Sequence, residues 1–158
     1  MFRVVVVIPC YKVSDQIIKL LNTTNFSKIY KIIVVDDKCP NKIGLKIKKR
    51  IKNKKIEIYI LKKNLGVGGA TKYGIKKSLK YNPDQIIKMD GDGQHDPKYL
   101  ISFINTQKKN PKSFLKGYRS LLINNTPKIR FFGNYVITFI IRFLTKNYNL
   151  KDVVNGYV

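Results

Sequence analysis

VVVVIPCYKVSDQIIKLL, residues 4–21, decides how the rest of the chain is read. A β-branched run (4–8) ends at Pro9, and a helix pattern follows with Ser14 or Asp15 as its cap. The same order recurs along the chain. IIVV (32–35) precedes a Lys-rich helical segment near 45–51, IEIYIL (56–61) precedes a helix from about 69 to 79, and IIKM (86–89) precedes one that starts near Pro97. Such βα units predict an α/β fold with a mostly parallel sheet flanked by helices. A further short strand is expected at 113–116, and a last apolar stretch runs over 131–144. No internal repeat or linker stands out, so residues 1–158 read as one domain. The chain stops at Asn155-Gly156-Tyr157-Val158 without a polar tail, and we expect the domain to continue past that point.

Composition narrows the class. Of the 158 residues, 44% are hydrophobic and 26% charged, which argues against wholesale disorder and against a polytopic membrane protein. The net charge of +23 points to anionic partners: nucleotides, phosphorylated lipids, nucleic acid or an acidic membrane surface. Lysine supplies 27 of the 32 basic residues, spread along nearly the whole chain rather than gathered into an Arg-rich stripe, which weakens the nucleic-acid reading. Cys10 and Cys39 are too few for a disulfide framework or a four-ligand zinc site. The N-terminal apolar run is shorter than a signal-peptide core, and no segment reaches the roughly 20 apolar residues of a spanning helix. We therefore expect a cytoplasmic domain, with peripheral contact to the cytoplasmic membrane face left open.

In an open parallel sheet, ligands bind beyond the carboxyl ends of the strands. The residues there are Pro9-Cys10-Tyr11, Asp36-Asp37, Asn64-Leu65-Gly66 and Asp90-Gly91-Asp92-Gly93-Gln94-His95-Asp96. Five of the chain's nine carboxylates, Asp36, Asp37, Asp90, Asp92 and Asp96, fall at two of these ends. Grouped carboxylates repel, so a cation or a donor-rich ligand is expected among them. Asp90, Asp92 and Gln94 form a hard-oxygen set suited to magnesium or manganese holding a substrate diphosphate. The plainer reading, an Asp-Gly turn capping the next helix, accounts for Asp96 before Pro97 but not for Asp90 and Asp92. His95 reads as an ordinary loop residue. The glycines of Asn64-Leu65-Gly66-Val67-Gly68-Gly69-Ala70 do not fit G-x-G-x-x-G, which argues against a dinucleotide-binding dehydrogenase, and no P-loop is present either. Small residues opening a helix still let a ligand approach closely.

Taken in order, Ile8-Pro9-Cys10-Tyr11, Val34-Val35-Asp36-Asp37, the segment Asn64 to Ala70, and Met89-Asp90-Gly91-Asp92-Gly93-Gln94-His95-Asp96-Pro97 resemble the motifs of family 2 glycosyltransferases. The resemblance is greatest to the dolichol-phosphate mannosyltransferase-like branch, which hands sugars to polyprenyl phosphates. It covers essentially the whole chain and implies a GT-A nucleotide-diphospho-sugar transferase fold and inverting hexosyl transfer in membrane or cell-wall glycan synthesis. By the same resemblance Pro9, Tyr11 and Asp37 would contact base and ribose. Asp36, Asn64 and Gly69 would lie on the nucleotide-sugar side, Asp90 would face ribose and diphosphate, and Asp92 and Gln94 would hold Mg2+ or Mn2+. Arg119 and Arg130 resemble arginines that grip the acceptor phosphate, and Asp152 with Gly156-Tyr157 resembles the motif before the final acceptor-side segments. Lys12-Val13 stand where the family usually has Asn-Glu, and Lys38-Cys39 where it usually has Gly-Ser, which leaves the donor open between UDP- and GDP-linked sugars.

A lipid phosphate is already anionic at neutral pH, so Arg119 and Arg130 need only position it, and no general base is required. A sugar hydroxyl would need a carboxylate base, and after Asp96 only Asp152 remains. A polyprenyl or dolichyl phosphate acceptor is thus favoured. A saccharide hydroxyl in cell-surface polysaccharide synthesis is the alternative, and a basic nucleic-acid-binding domain is the alternative of another class. The 131–144 stretch is too short to span a bilayer; it suits an interfacial helix or a core or dimer helix.

Overall fold

The structure, a computed structural model, describes residues 1–13, 15–93, 96–117, 128–146 and 148, with the backbone alone for 128–131 and 134. Ser14, Gln94, His95, Arg119 and Asp152 lie outside the described residues, as does the side chain of Arg130. Two compact units divide the chain, 1–113 and 114–158.

The first unit holds four parallel strands, β1 (Val4–Cys10), β2 (Lys31–Asp36), β3 (Ile56–Ile60) and β4 (Gln85–Lys88), in the order β3-β2-β1-β4. Helices α1 (Gln16–Thr23), α2 (Ile43–Arg50), α3 (Gly66–Ser78) and α4 (Tyr99–Lys109) follow them in turn. Every residue of β1 is buried, as expected of a central parallel strand covered on both faces. Val5, Val7, Ile33 and Val35 pack with Leu61 and Ala70 on one face, and Val4, Val6 and Ile8, pointing the other way, are equally buried.

β1 runs through Pro9, where the sequence pattern predicts its end. Pro9 pairs with Val35, and the N–H it lacks falls on the β4 side. Pairing with β4 stops at Val7 opposite Lys88, followed by the Met89 N–H to Val7 carbonyl bond, so no ladder bond is lost there.

Helix α3 begins three residues earlier than its apolar pattern predicts. Asn64 Oδ1 accepts the Gly66 N–H at 3.0 Å, and Asp37 Oδ1 accepts the Leu65 N–H at 2.7 Å, so side chains satisfy donors that would otherwise delay the start. The strand expected at 113–116 does not form. Ser113 instead finishes the turn after α4, with its N–H and hydroxyl on the Asn110 carbonyl at 3.0 and 2.6 Å. Asp96 does accept the Lys98 N–H, at 2.9 Å, ahead of α4.

Gly74 sets how closely α3 lies on the sheet. A Cβ there would collide with Val7 Cγ1 and come within 3.1 Å of Val35 Cγ2, both on fully buried residues. Gly74→Ala is therefore expected to cost about 1–3 kcal/mol by overpacking, more than the helix propensity of alanine returns. Urea unfolding checks it: a midpoint equal to or above wild type would show that the interface yields.

The second unit contributes α5 (Lys128–Thr145). Phe132, Tyr135, Phe139 and Phe143 are exposed along it, and Thr138 is buried. Among the described residues no helix is long and apolar enough to cross a membrane.

Candidate active site

β1, β2 and β3 are laid down in one direction, and β4 then returns to the other side of β1. The strand order thus reverses between β1 and β4, the place where an open parallel sheet takes its ligands, beyond the carboxyl ends of its strands. A cavity of about 440 Å³ lies there. Its walls are Pro9 and Cys10 at the end of β1, Tyr11 and Val13 after it, Asp37 after β2, Asn64, Gly66, Val67 and Ala70 around the start of α3, and Asp90, Gly91 and Asp92 after β4.

Asp37 is 1% exposed, and its two carboxylate oxygens differ in role. Oδ1 takes the Leu65 N–H, while Oδ2 is buried with no hydrogen-bond partner among the described residues. A buried acceptor without a donor is costly unless a ligand supplies one, and this residue is a wall of the cavity. The surrounding backbone is fixed by the Asp37 N–H on the Cys10 carbonyl at 2.9 Å and by Asn64 Nδ2 on the Asp37 carbonyl at 3.2 Å.

Asp36, grouped with Asp37 in the sequence reading, is turned away from the cavity. Its Oδ1 accepts the Cys39 N–H at 2.6 Å and its Oδ2 the Gly44 N–H at 2.8 Å. It closes the β2–α2 loop and satisfies a first-turn donor of α2, whose own cap residue, Lys42, makes no side-chain cap bond. Successive side chains at a strand end point to opposite sides, so neighbouring aspartates receive different tasks. Gly69 is likewise not a cavity wall: a Cβ there would lie 2.6 Å from Leu65 Cβ, so this glycine serves packing inside the α3 entry.

Tyr11 is half exposed at the rim, with the Lys12 ammonium 5.5 Å from its ring centre. Lys38, where the family resemblance places glycine, takes the left-handed conformation that glycine favours, φ +54°. Burial, reinforced by the charge of Asp36, pushes the Cys10 thiol well above its usual range, so it stays protonated.

Asp90 and Asp92 both line the cavity. Between them, a Cβ on Gly91 would meet Cys10 Sγ at 2.8 Å, so close packing against β1, as well as flexibility, demands glycine here. Lys88, the last residue of β4, pairs with Asp90 Oδ1. Sequence reading missed this lysine; the signal was an isolated cation in the apolar run IIKM. Among the described residues no three His, Cys, Asp or Glu side chains gather into a self-contained metal cage. Two carboxylates in a ligand-sized cavity fit a magnesium-like ion, which is held by one or two carboxylates together with substrate phosphates.

The family model described as Glycosyl transferase family 2 matches residues 5–157. An uncharacterized protein of Methanocaldococcus jannaschii, MJ1222, is 31% identical over 98% of this chain and 63% of its own length. The UDP-N-acetylglucosamine–dolichyl-phosphate N-acetylglucosaminyltransferase of Methanococcus voltae is 29% identical over 95% of this chain and 66% of its own. This chain thus spans just under two thirds of the length of either relative. Among solved structures, S. aureus TarS 1-349 superposes with a TM-score of 0.54 at 17% identity, over 80% of this chain and 41% of that one. Its complex with UDP-GlcNAc gives 0.52 at 20% identity, over 68% and 32%. The fold is that of the GT-A glycosyltransferases.

Proposed function

This chain belongs to glycosyl transferase family 2, and from that premise we propose that it moves a sugar from a nucleoside diphosphate sugar to a polyprenyl phosphate, with a divalent cation bound at Asp92. The observation that carries the donor half is the buried, unpartnered Oδ2 of Asp37 in the same cavity as Asp90 and Asp92. An ionised carboxylate oxygen asks for an N–H donor. Uracil and guanine present a ring N–H on their pairing edge, whereas cytosine presents a ring lone pair there and has only its exocyclic N4 amino group as donor. UDP- or GDP-linked donors are therefore the proposed class, and the activity of the M. voltae relative supports the uridine form and the lipid phosphate acceptor.

Tyr11 offers a ring face at the cavity rim for a base, and Asn64 holds the loop in which Asp37 stands. Asp92, joined by Gln94, would hold Mg2+ or Mn2+, which when bound supplies positive charge to offset the leaving diphosphate. A phosphate oxygen of the acceptor forms its bond to the anomeric carbon as the bond from that carbon to the diphosphate oxygen breaks, which inverts the centre. Arg119 and Arg130 position the acceptor, and no side chain has to remove a proton.

A thermal-shift panel of UDP, GDP, CDP and UMP, each with Mn2+ or with excess chelator, tests this reading. At a hundred times its dissociation constant the correct diphosphate stabilises by about 2.7 kcal/mol, or roughly 5 °C or more for a domain of this size. UDP or GDP with Mn2+ is expected to reach that shift and CDP to fall short. Equal shifts in chelator would remove the metal from the proposal, and no shift with any nucleotide would remove the donor site.

A further inference from the structure

Helix α5 is inside out for a helix in water. Phe132, Tyr135, Phe139 and Phe143 recur at the three- and four-residue spacing that lines up one helix face, and all four are between 62% and 70% exposed. Ile140 and Leu144 widen that face and are exposed as well, whereas the one buried side chain among the described residues of α5 is a polar one, Thr138. An apolar face of this width open to water marks a contact surface. Charge says what covers it. Between Asp96 and Asp152 the chain has 11 Lys and Arg and no Asp or Glu, and α5 itself includes Lys128, Arg130 and Arg142.

We propose that α5 lies flat on an anionic lipid bilayer, with its aromatic face in the boundary between headgroups and acyl chains and the basic stretch around it drawn to the negative surface. This adds to the function proposed above, whose acceptor is a membrane lipid, and does not depend on it. With 18 residues α5 is about 27 Å long, and it has arginine near both ends, which suits the boundary of a bilayer rather than its centre. A second copy of the chain is the poorer cover, because it would bring the same basic stretch, without a carboxylate, against itself.

Vesicle sedimentation with the full 158-residue chain tests it, using phosphatidylcholine alone and phosphatidylcholine mixed with phosphatidylglycerol, both free of polyprenyl phosphate. The chain is expected to bind the phosphatidylglycerol vesicles about tenfold or more tightly than the neutral ones, and to lose that advantage as salt is raised. Phe139→Ser combined with Phe143→Ser is expected to weaken vesicle binding by about tenfold or more and to leave the urea midpoint at or above wild type, because both rings face water in the unbound chain. Equal binding to both kinds of vesicle, or binding to neither, overturns the proposal. A wild-type dimer that the double substitution turns into a monomer also overturns it, as does a lowered urea midpoint, since protein would then be what covers the face. No acceptor lipid is present in these vesicles, so failure here leaves the acceptor reading to be decided by transfer assays.

Discussion

Asp37→Ala is expected to weaken uridine, UMP and UDP alike, by roughly ten- to hundredfold, because under the proposed function its carboxylate accepts from the base in all three complexes. Asp92→Ala is expected to leave uridine binding near wild type and to remove most of the Mn2+-dependent gain that UDP shows over uridine. The contrast depends on placement within one cavity. Asp37 is sealed at its inner wall with Oδ2 unpartnered, while Asp92 is exposed on the loop after β4. Because Asp37 Oδ1 also anchors the Leu65 N–H, alanine there loosens the entry to α3, and Asp37→Asn separates the two effects. Asparagine retains an oxygen for Leu65 and offers an amide donor where Oδ2 stood, so base preference is expected to move from uracil towards cytosine. Calorimetry with uridine, cytidine and their diphosphates reads both results. If Asp92→Ala abolished uridine binding and Asp37→Ala spared it, the two roles would have to be exchanged.

The second large effect concerns the acceptor. Arg119→Lys and Arg130→Lys, made separately in the whole protein, are each expected to cut transfer to a short polyprenyl phosphate by about tenfold or more, while Mn2+-dependent binding of the nucleotide stays intact. A guanidinium grips a phosphate through two parallel hydrogen bonds, which an ammonium of the same charge cannot copy. Arg130 falls in the first turn of α5. If these arginines were only two of the chain's 32 basic residues, charge-conserving replacement would leave transfer unchanged. Radiolabelled donor sugar in a transfer assay distinguishes the cases, and unchanged rates for both would favour a saccharide hydroxyl as acceptor.

The βα alternation was legible in the chain because its signals are local. A run such as VVVVI cannot be a solvent-exposed helix face, and Asn64 and Asp96 punctuate the backbone wherever the rest of the chain lies. The same locality placed chemistry at the strand ends, since a parallel sheet puts them all at one edge. What no local signal contained was the direction in which each strand-end residue faces. Asp36 and Asp37 are chemically identical neighbours, yet the register of β2 between β1 and β3 gives one to the backbone of the α2 loop and the other to the cavity. Gly69 and Gly74 both read as helix glycines, but only the packed α3 shows that one makes room for Leu65 and the other for Val7. Lys88 looks like one of 27 lysines until β4 lies beside β1 and the ammonium meets Asp90. Periodicity and turn chemistry are properties of a few consecutive residues, so the sequence by itself determined the elements, their order and the edge where the site lies. Burial, pairing and close approach belong to residues far apart in the chain, so only the tertiary structure decided which carboxylate oxygen at the cavity is buried without a partner among the described residues.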